Sequence, residues 1–283
     1  MVALAPYLTL LATFAAFVFW NGSVVLGDKG NHVATVHVPQ MLYIWPIMVF
    51  FSLPTLSPYL LLLPVTALAN IAHLGSLETM QTFRRGSRLP RVGLFAFCLG
   101  VACVAVWANT TVHPFTLADN RHYVFYVFRL LMRPWWMRYA VTPIYVMCAW
   151  SIMQALGGGP AAGIQAPGML PDGEHSATTS FALVWISTSA LQLITAPLVE
   201  PRYFILPWIF WRMHLPLRQP LPKDSEGNPV LPKTWSSFWE KYDHRLVLET
   251  GWLLAINAVT AYIFLNWGFG WPQEPGKVQR FMW

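Results

Sequence analysis

Charge is what this sequence has least of. Asp, Glu, Lys and Arg make up 11% of its 283 residues, too few to cover a protein of this length with water-facing side chains. The net charge of +6 is small, and its arginines gather beside apolar runs rather than in a groove interleaved with aromatics, which points to lipid headgroups and away from nucleic acid. Cysteine is scarce as well. Cys98, Cys103 and Cys148 lie inside apolar stretches, where thiols behave as small hydrophobes, so neither a disulfide framework nor a cysteine metal site is indicated. The templates of soluble enzymes are missing too: no glycine-rich phosphate loop opens a helix, no nucleophile elbow occurs, and no Cys or His pair has zinc spacing. The first residues lack the basic region and small-residue cleavage site of a signal peptide.

Apolar residues fill the space that charge leaves. They make up 55% of the chain, with 15 Trp and 18 Phe, and several runs approach the ~20 residues that cross a bilayer. The expected fold is all-α, a polytopic transmembrane helical protein with about six membrane segments in one membrane domain over residues 1–283. Spans are expected at residues 4–20, 92–108, 139–156, 178–198 and 246–267, and residues 41–72, broken by four prolines, read as one span followed by an embedded or interfacial helix. Residues 124–138, with three arginines and Trp135 and Trp136, suit a helix lying at the interface. Residues 208–245, broken by five prolines, read as extended and partly amphipathic.

Orientation follows from arginine. Arg84, Arg85, Arg88 and Arg91 precede the run at 92–108 and mark the cytoplasmic side, which sends residues 109–123 to the lumenal or external face. If residues 41–72 make one net crossing, the loop holding Asp28 and His32 lies on that same face. Glycosylation sequons begin at Asn21 and Asn109, though such tripeptides are common by chance and weigh little.

The densest polar chemistry is HPFTLADNRHYVFY, residues 113–126. Asp119, Asn120, Arg121 and His122 there form either a functional site or a charged loop that anchors helix ends in the headgroups. A second polar knot, Glu200, Arg202 and Tyr203, follows the span at 178–198. Arg121 and Arg202 have the forked donors that clamp a phosphate or pyrophosphate. His122 suits holding or protonating a leaving phosphate, and Asp28, Asp119 or Glu200 suit accepting a hydroxyl proton or binding sugar hydroxyls.

Four blocks carry a resemblance: VVLGDKGNHVATVHVPQMLYIWP at 24–46, HPFTLADNRHYVFYVFR at 113–129, EPRYFILPWIFWRMHLPL at 200–217 and VQRFMW at 278–283. In this order and spacing they resemble the carboxy-terminal portion of the endoplasmic-reticulum alpha-1,2-glucosyltransferases that use dolichyl phosphate glucose, members of the GT-C class. The resemblance implies a multi-pass enzyme of the endoplasmic reticulum membrane whose partners are dolichyl phosphate glucose, a dolichol-linked oligosaccharide and membrane lipid. It would add the terminal alpha-1,2-linked glucose to Glc2Man9GlcNAc2-PP-dolichol, with inversion, before protein N-glycosylation. The same resemblance implies that family members are longer and that their main base precedes this portion. Carried onto this sequence, it gives Asp119 and His122 catalytic roles, Arg121, His122 and Arg202 the donor phosphate, and Asp28, His32, Asn120, Tyr123, Glu200 and Tyr203 substrate contacts. No metal and no cofactor are expected, because arginine and histidine supply the positive charge that a departing phosphate needs. The competing class is a non-catalytic membrane protein, a regulator or scaffold; a transporter fits less well, since the ionisable groups cluster at helix ends.

Overall fold

The computed structural model describes residues 4–27, 29–31, 35–57, 60, 90–110, 112–157, 177–196, 198–215, 244–272 and 274–282. In chain order its helices are α1 (Ala5–Asn21), α2 (Gln40–Phe51), α3 (Val92–Asn109), α4 (Pro114–Ala118), α5 (Tyr123–Met132), α6 (Met137–Ala140), α7 (Thr142–Leu156), α8 (Thr179–Ile194), α9 (Ile205–Met213) and α10 (His244–Asn266). Short 3-10 turns occupy Lys29–Asn31 and Pro201–Phe204.

Membrane length is met by three helical runs among the described residues, Val92–Asn109, Met137–Leu156 and Arg245–Asn266, while α1, α2, α5 and α8 are shorter apolar helices. Backbone polar groups must be satisfied internally in hydrocarbon, and the hydroxyls in these helices follow the same rule. Thr9, Thr13, Ser151, Thr188, Thr250 and Thr260 each donate to the carbonyl four residues earlier. Helix ends are finished locally. Thr178 accepts the Phe181 N–H at the start of α8, and Gly22 adopts a φ of 68° to close α1 on the Val18 carbonyl.

The core centres on α2, which packs most extensively against α7 and also meets α8 and the Pro201–Phe204 turn. Ile44, Met48, Ile152, Leu193 and Trp211 are fully enclosed. Tyr43 meets Phe128 and Tyr145 edge-on, and Trp45 meets Trp185 likewise. Indole N–H groups in this apolar interior find oxygen: Trp185 donates to the Pro207 carbonyl at 2.9 Å, Trp208 to Ser52 Oγ at 2.7 Å and Trp211 to the Ile152 carbonyl at 3.2 Å. Helices α3 and α10 instead leave apolar side chains such as Phe97, Val104, Leu254 and Val259 exposed, the surface that hydrocarbon accepts.

Two expectations are corrected. Residues 124–138 do not form one helix: α5 stops at Met132, and Pro134, which has no amide hydrogen to continue the ladder, precedes the short α6. The segment at 208–245 is not extended at its start, because α9 runs to Met213 with Pro207 in its first turn, where the missing N–H costs nothing. The all-α expectation holds, and among the described residues the helices are joined by one short antiparallel hairpin, β1 (Gly268–Gly270) with β2 (Val278–Arg280), registered Phe269 opposite Gln279. The arginines at 84, 85 and 88, the second half of the 41–72 stretch and residues 216–243 lie outside the described residues.

Candidate functional site

The loop between α4 and α5 owes its shape to Asp119. Its Oδ1 accepts the Arg121 backbone N–H at 3.0 Å, a local turn typical of aspartate, and the same carboxylate takes the Arg121 fork through Nε at 2.8 Å and a terminal nitrogen at 2.6 Å. His122 Nε2 lies 3.6 Å from Asp119 Oδ2. Its backbone is extended, and its carbonyl accepts the Phe125 N–H to start α5. Asn120 and Thr116 are buried beneath the turn.

The electrostatics follow from these contacts. Hydrogen bonds from Arg121 hold the Asp119 carboxyl below the usual carboxylate range, overcoming its partial burial, and Asp119 in return pushes Arg121 up. The Asp119 carboxylate is therefore a permanent anion at neutral pH. On the other wall, Glu200 pairs with Arg202 and raises its pKa by direct attraction, and the Arg202 guanidinium lies 5.8 Å from the Tyr203 ring centre. Arg202 remains 71% exposed beyond its pairing with Glu200.

These two knots, eighty residues apart in sequence, line one cleft of about 800 Å³ with Thr116 and Asn257. Its apolar wall comes from Phe51, Leu253 and Ile256. Beside it runs an apolar groove of about 740 Å³ between α2, α5, α7 and α10, and Phe51, Val124, Val199, Pro201 and Ile256 line both. The cleft with the polar side chains and the greasy groove thus adjoin along shared walls. The arrangement can hold a charged head and a hydrocarbon tail at once.

The structure brings Asp119, His122, Glu200 and Arg202 to the cleft, but not every expected residue. Arg121 is turned onto Asp119 rather than lining it, Asn120 is buried, Tyr123 lines the apolar groove, and Tyr203 sits under Arg202. Asp28 and His32 lie outside the described residues. No cluster of three His, Cys, Asp or Glu side chains suited to a metal occurs among the described residues. Sequence reasoning missed Asn257, whose signal was an amide in the middle of an apolar helix. It also missed the polar clamp behind the cleft, where Gln40 Nε2 donates to the Ala196 carbonyl at 2.5 Å and to the Leu198 carbonyl at 3.1 Å and so fixes the approach to Glu200.

Comparison with known proteins finds relatives along nearly the whole chain. Over 353 aligned positions the chain is 39% identical to the Dol-P-Glc:Glc(2)Man(9)GlcNAc(2)-PP-Dol alpha-1,2-glucosyltransferase of Emericella nidulans, covering 100% of the chain and 55% of that relative. The mouse protein of the same name is 33% identical over 279 positions, covering 98% of the chain and 46% of the relative. The human one is 31% identical with the same coverage. The chain thus spans about half the length of the curated relatives it matches. No solved structure matches it. Residues 1–213 match the DIE2/ALG10 family, and with relatives this similar along the whole chain, the protein belongs to that family.

Proposed function

We propose that this chain forms part of a glucosyltransferase of the endoplasmic reticulum membrane that moves glucose from dolichyl phosphate glucose onto Glc2Man9GlcNAc2-PP-dolichol. The observation that carries this reading is that the cleft of Asp119, His122, Glu200 and Arg202 adjoins the apolar groove and shares five lining residues with it. A sugar phosphate suits the cleft, and the isoprene units nearest the phosphate suit the groove. Family membership and the printed names of the relatives support the same substrate pair.

In the transfer, an oxygen of the acceptor hydroxyl bonds to C1 of glucose while the bond from C1 to the phosphate oxygen breaks. Dolichyl phosphate leaves with that electron pair, and the hydroxyl proton passes to a base. Charge builds on the departing phosphate, so fixed cationic donors stabilise the transition state more than the ground state. Arg202, a largely exposed guanidinium lining the cleft, is placed for this, while Glu200 holds it in position. Asp119 is a poor proton acceptor because Arg121 stabilises its ionised form; it orients His122 instead, and His122 exchanges a proton with the phosphate.

The test is glucose transfer in membranes that lack the endogenous activity, using the complete gene product that carries this chain and a radiolabelled dolichyl phosphate glucose donor. Wild-type protein should restore transfer, and Arg202→Ala and His122→Ala should each lower kcat by about 100-fold, the cost of removing one group that meets developing charge. Full transfer by both variants would remove these residues from the site, and no transfer by the wild type would overturn the reading itself.

A further inference from the structure

The hairpin after α10 ties together three parts of the cleft and groove. Met282 donates its backbone N–H to the Arg121 carbonyl at 2.7 Å, and a parallel bridge pairs Met282 with His122. Those bonds hold the backbone that carries the two side chains beside Asp119. Arg280, two residues earlier, donates to the Phe264 and Leu265 carbonyls at 2.6 Å each. These carbonyls belong to the last turn of α10, where no helical donors remain and a cation meets the negative end of the helix dipole. The same helix supplies Ile256 and Asn257 to the cleft. Between the two anchors sits Phe281, which lines the apolar groove and lies against Tyr126 with ring centres 6.4 Å apart.

The close approach is built into the sequence. A Cβ at Gly268 would fall 2.4 Å from Cγ1 of Val278, a stiff β-branched side chain, so glycine is what lets β1 and β2 pair at this spacing. Trp271 in the turn adds an edge-on contact with Phe125, with ring centres 5.9 Å apart. The hairpin is therefore docked on α5 by backbone and by aromatic side chains together.

We propose that this hairpin is a strap that positions Arg121 and His122, and that Phe281 within it is a binding residue for the lipid chain of the donor. The proposal rests on the donor reading given above. A strap of this kind sets the distance between the phosphate-binding end of the cleft and the start of the greasy channel, because Met282 fixes the first and Phe281 walls the second. It makes lipid recognition and placement of the polar site depend on one element.

The experiment uses the complete gene product in membranes with dolichyl phosphate glucose, and compares wild type, Phe281→Ala and Phe281→Leu. Phe281→Ala is expected to raise KM for the donor about tenfold while kcat falls less, and Phe281→Leu, which restores an apolar wall, should recover most of the loss. In parallel, Tyr126→Cys with Phe281→Cys should be joined by a short bifunctional thiol reagent, read as one linked species after proteolysis between them. Wild-type transfer with an unchanged donor KM in Phe281→Ala overturns the role of Phe281 and leaves the glucosyltransferase reading standing. Failure of the cysteine pair to link overturns the docked strap. Absence of transfer in the wild type overturns the donor reading and the lipid role with it, even where the cysteines link.

Discussion

Asn109 accepts the backbone N–H of Val38 through its side-chain oxygen at 2.6 Å, across 71 residues of sequence. The bond joins the last residue of α3 to the loop that enters α2, just before Gln40 clamps the approach to Glu200. A residue that sequence alone marks as the start of a sequon is thus a structural tie between the end of α3 and the loop before α2. Replacing it with alanine leaves the Val38 N–H without its acceptor. Asn109→Ala is expected to lower stability by about 1–2 kcal/mol, read as a drop in thermal midpoint of the detergent-solubilised protein. An unchanged midpoint would show that the tie contributes nothing.

Asp119→Asn keeps a carbonyl for the Arg121 N–H but removes the charge that the Arg121 fork and His122 face. The expected result is a loss of about tenfold or more in glucose transfer with the protein still inserted and folded. The pH dependence has a defined sign. The native Asp119 pKa lies below its ordinary value of 3.8, so the pair stabilises the loop fully above that value and the contribution disappears as pH falls through the lower native pKa. Acid unfolding of Asp119→Asn should lack this step; an identical acid profile in both proteins would argue against the pair.

Arg212 on α9 reaches Glu249 on α10 through Nε at 2.7 Å and a terminal nitrogen at 2.6 Å, with the carboxylate almost fully enclosed. The other carboxylate oxygen of Glu249 is buried with no hydrogen-bond partner. Removing one member strands a buried charge. Arg212→Met and Glu249→Leu singly should each destabilise by about 3–5 kcal/mol, whereas the double variant should recover most of that loss. Additive losses in a double-mutant cycle, measured by thermal unfolding in detergent, would show that the two charges do not act as a pair.

His37 is enclosed on all sides, both ring nitrogens lack partners, and the ring meets Tyr43 edge-on. Burial pushes its pKa from the ordinary 6.5 down to about 4, so the native ring stays neutral where an unfolded one takes a proton. Because the native value is lowered, stability attributable to this residue is full above pH 6.5 and falls progressively down to about pH 4, where the loss levels off. His37→Phe should flatten that window in unfolding experiments run at successive pH values. A variant as acid-sensitive as the wild type would assign the effect elsewhere.

How much of this was legible in advance differs from residue to residue. The apolar runs that became α3, the Met137–Leu156 run and α10 were visible because a bilayer demands length and hydrophobicity, and both are written locally. The four sequence blocks were enough to indicate the family, and Asp119, His122, Glu200 and Arg202 stood out because charge beside hydrocarbon is costly unless it has a purpose. What sequence did not decide was partnership. The helices are apolar on nearly every side, so periodicity cannot choose which faces meet, and the uses of Asn109, Arg212, Glu249 and Phe281 depend on contacts between distant segments. Only the tertiary structure brought Glu200 and Arg202 into one cleft with Asp119 and His122 and laid the β1–β2 hairpin on α5, because contacts between segments so far apart in sequence exist only once the chain has packed.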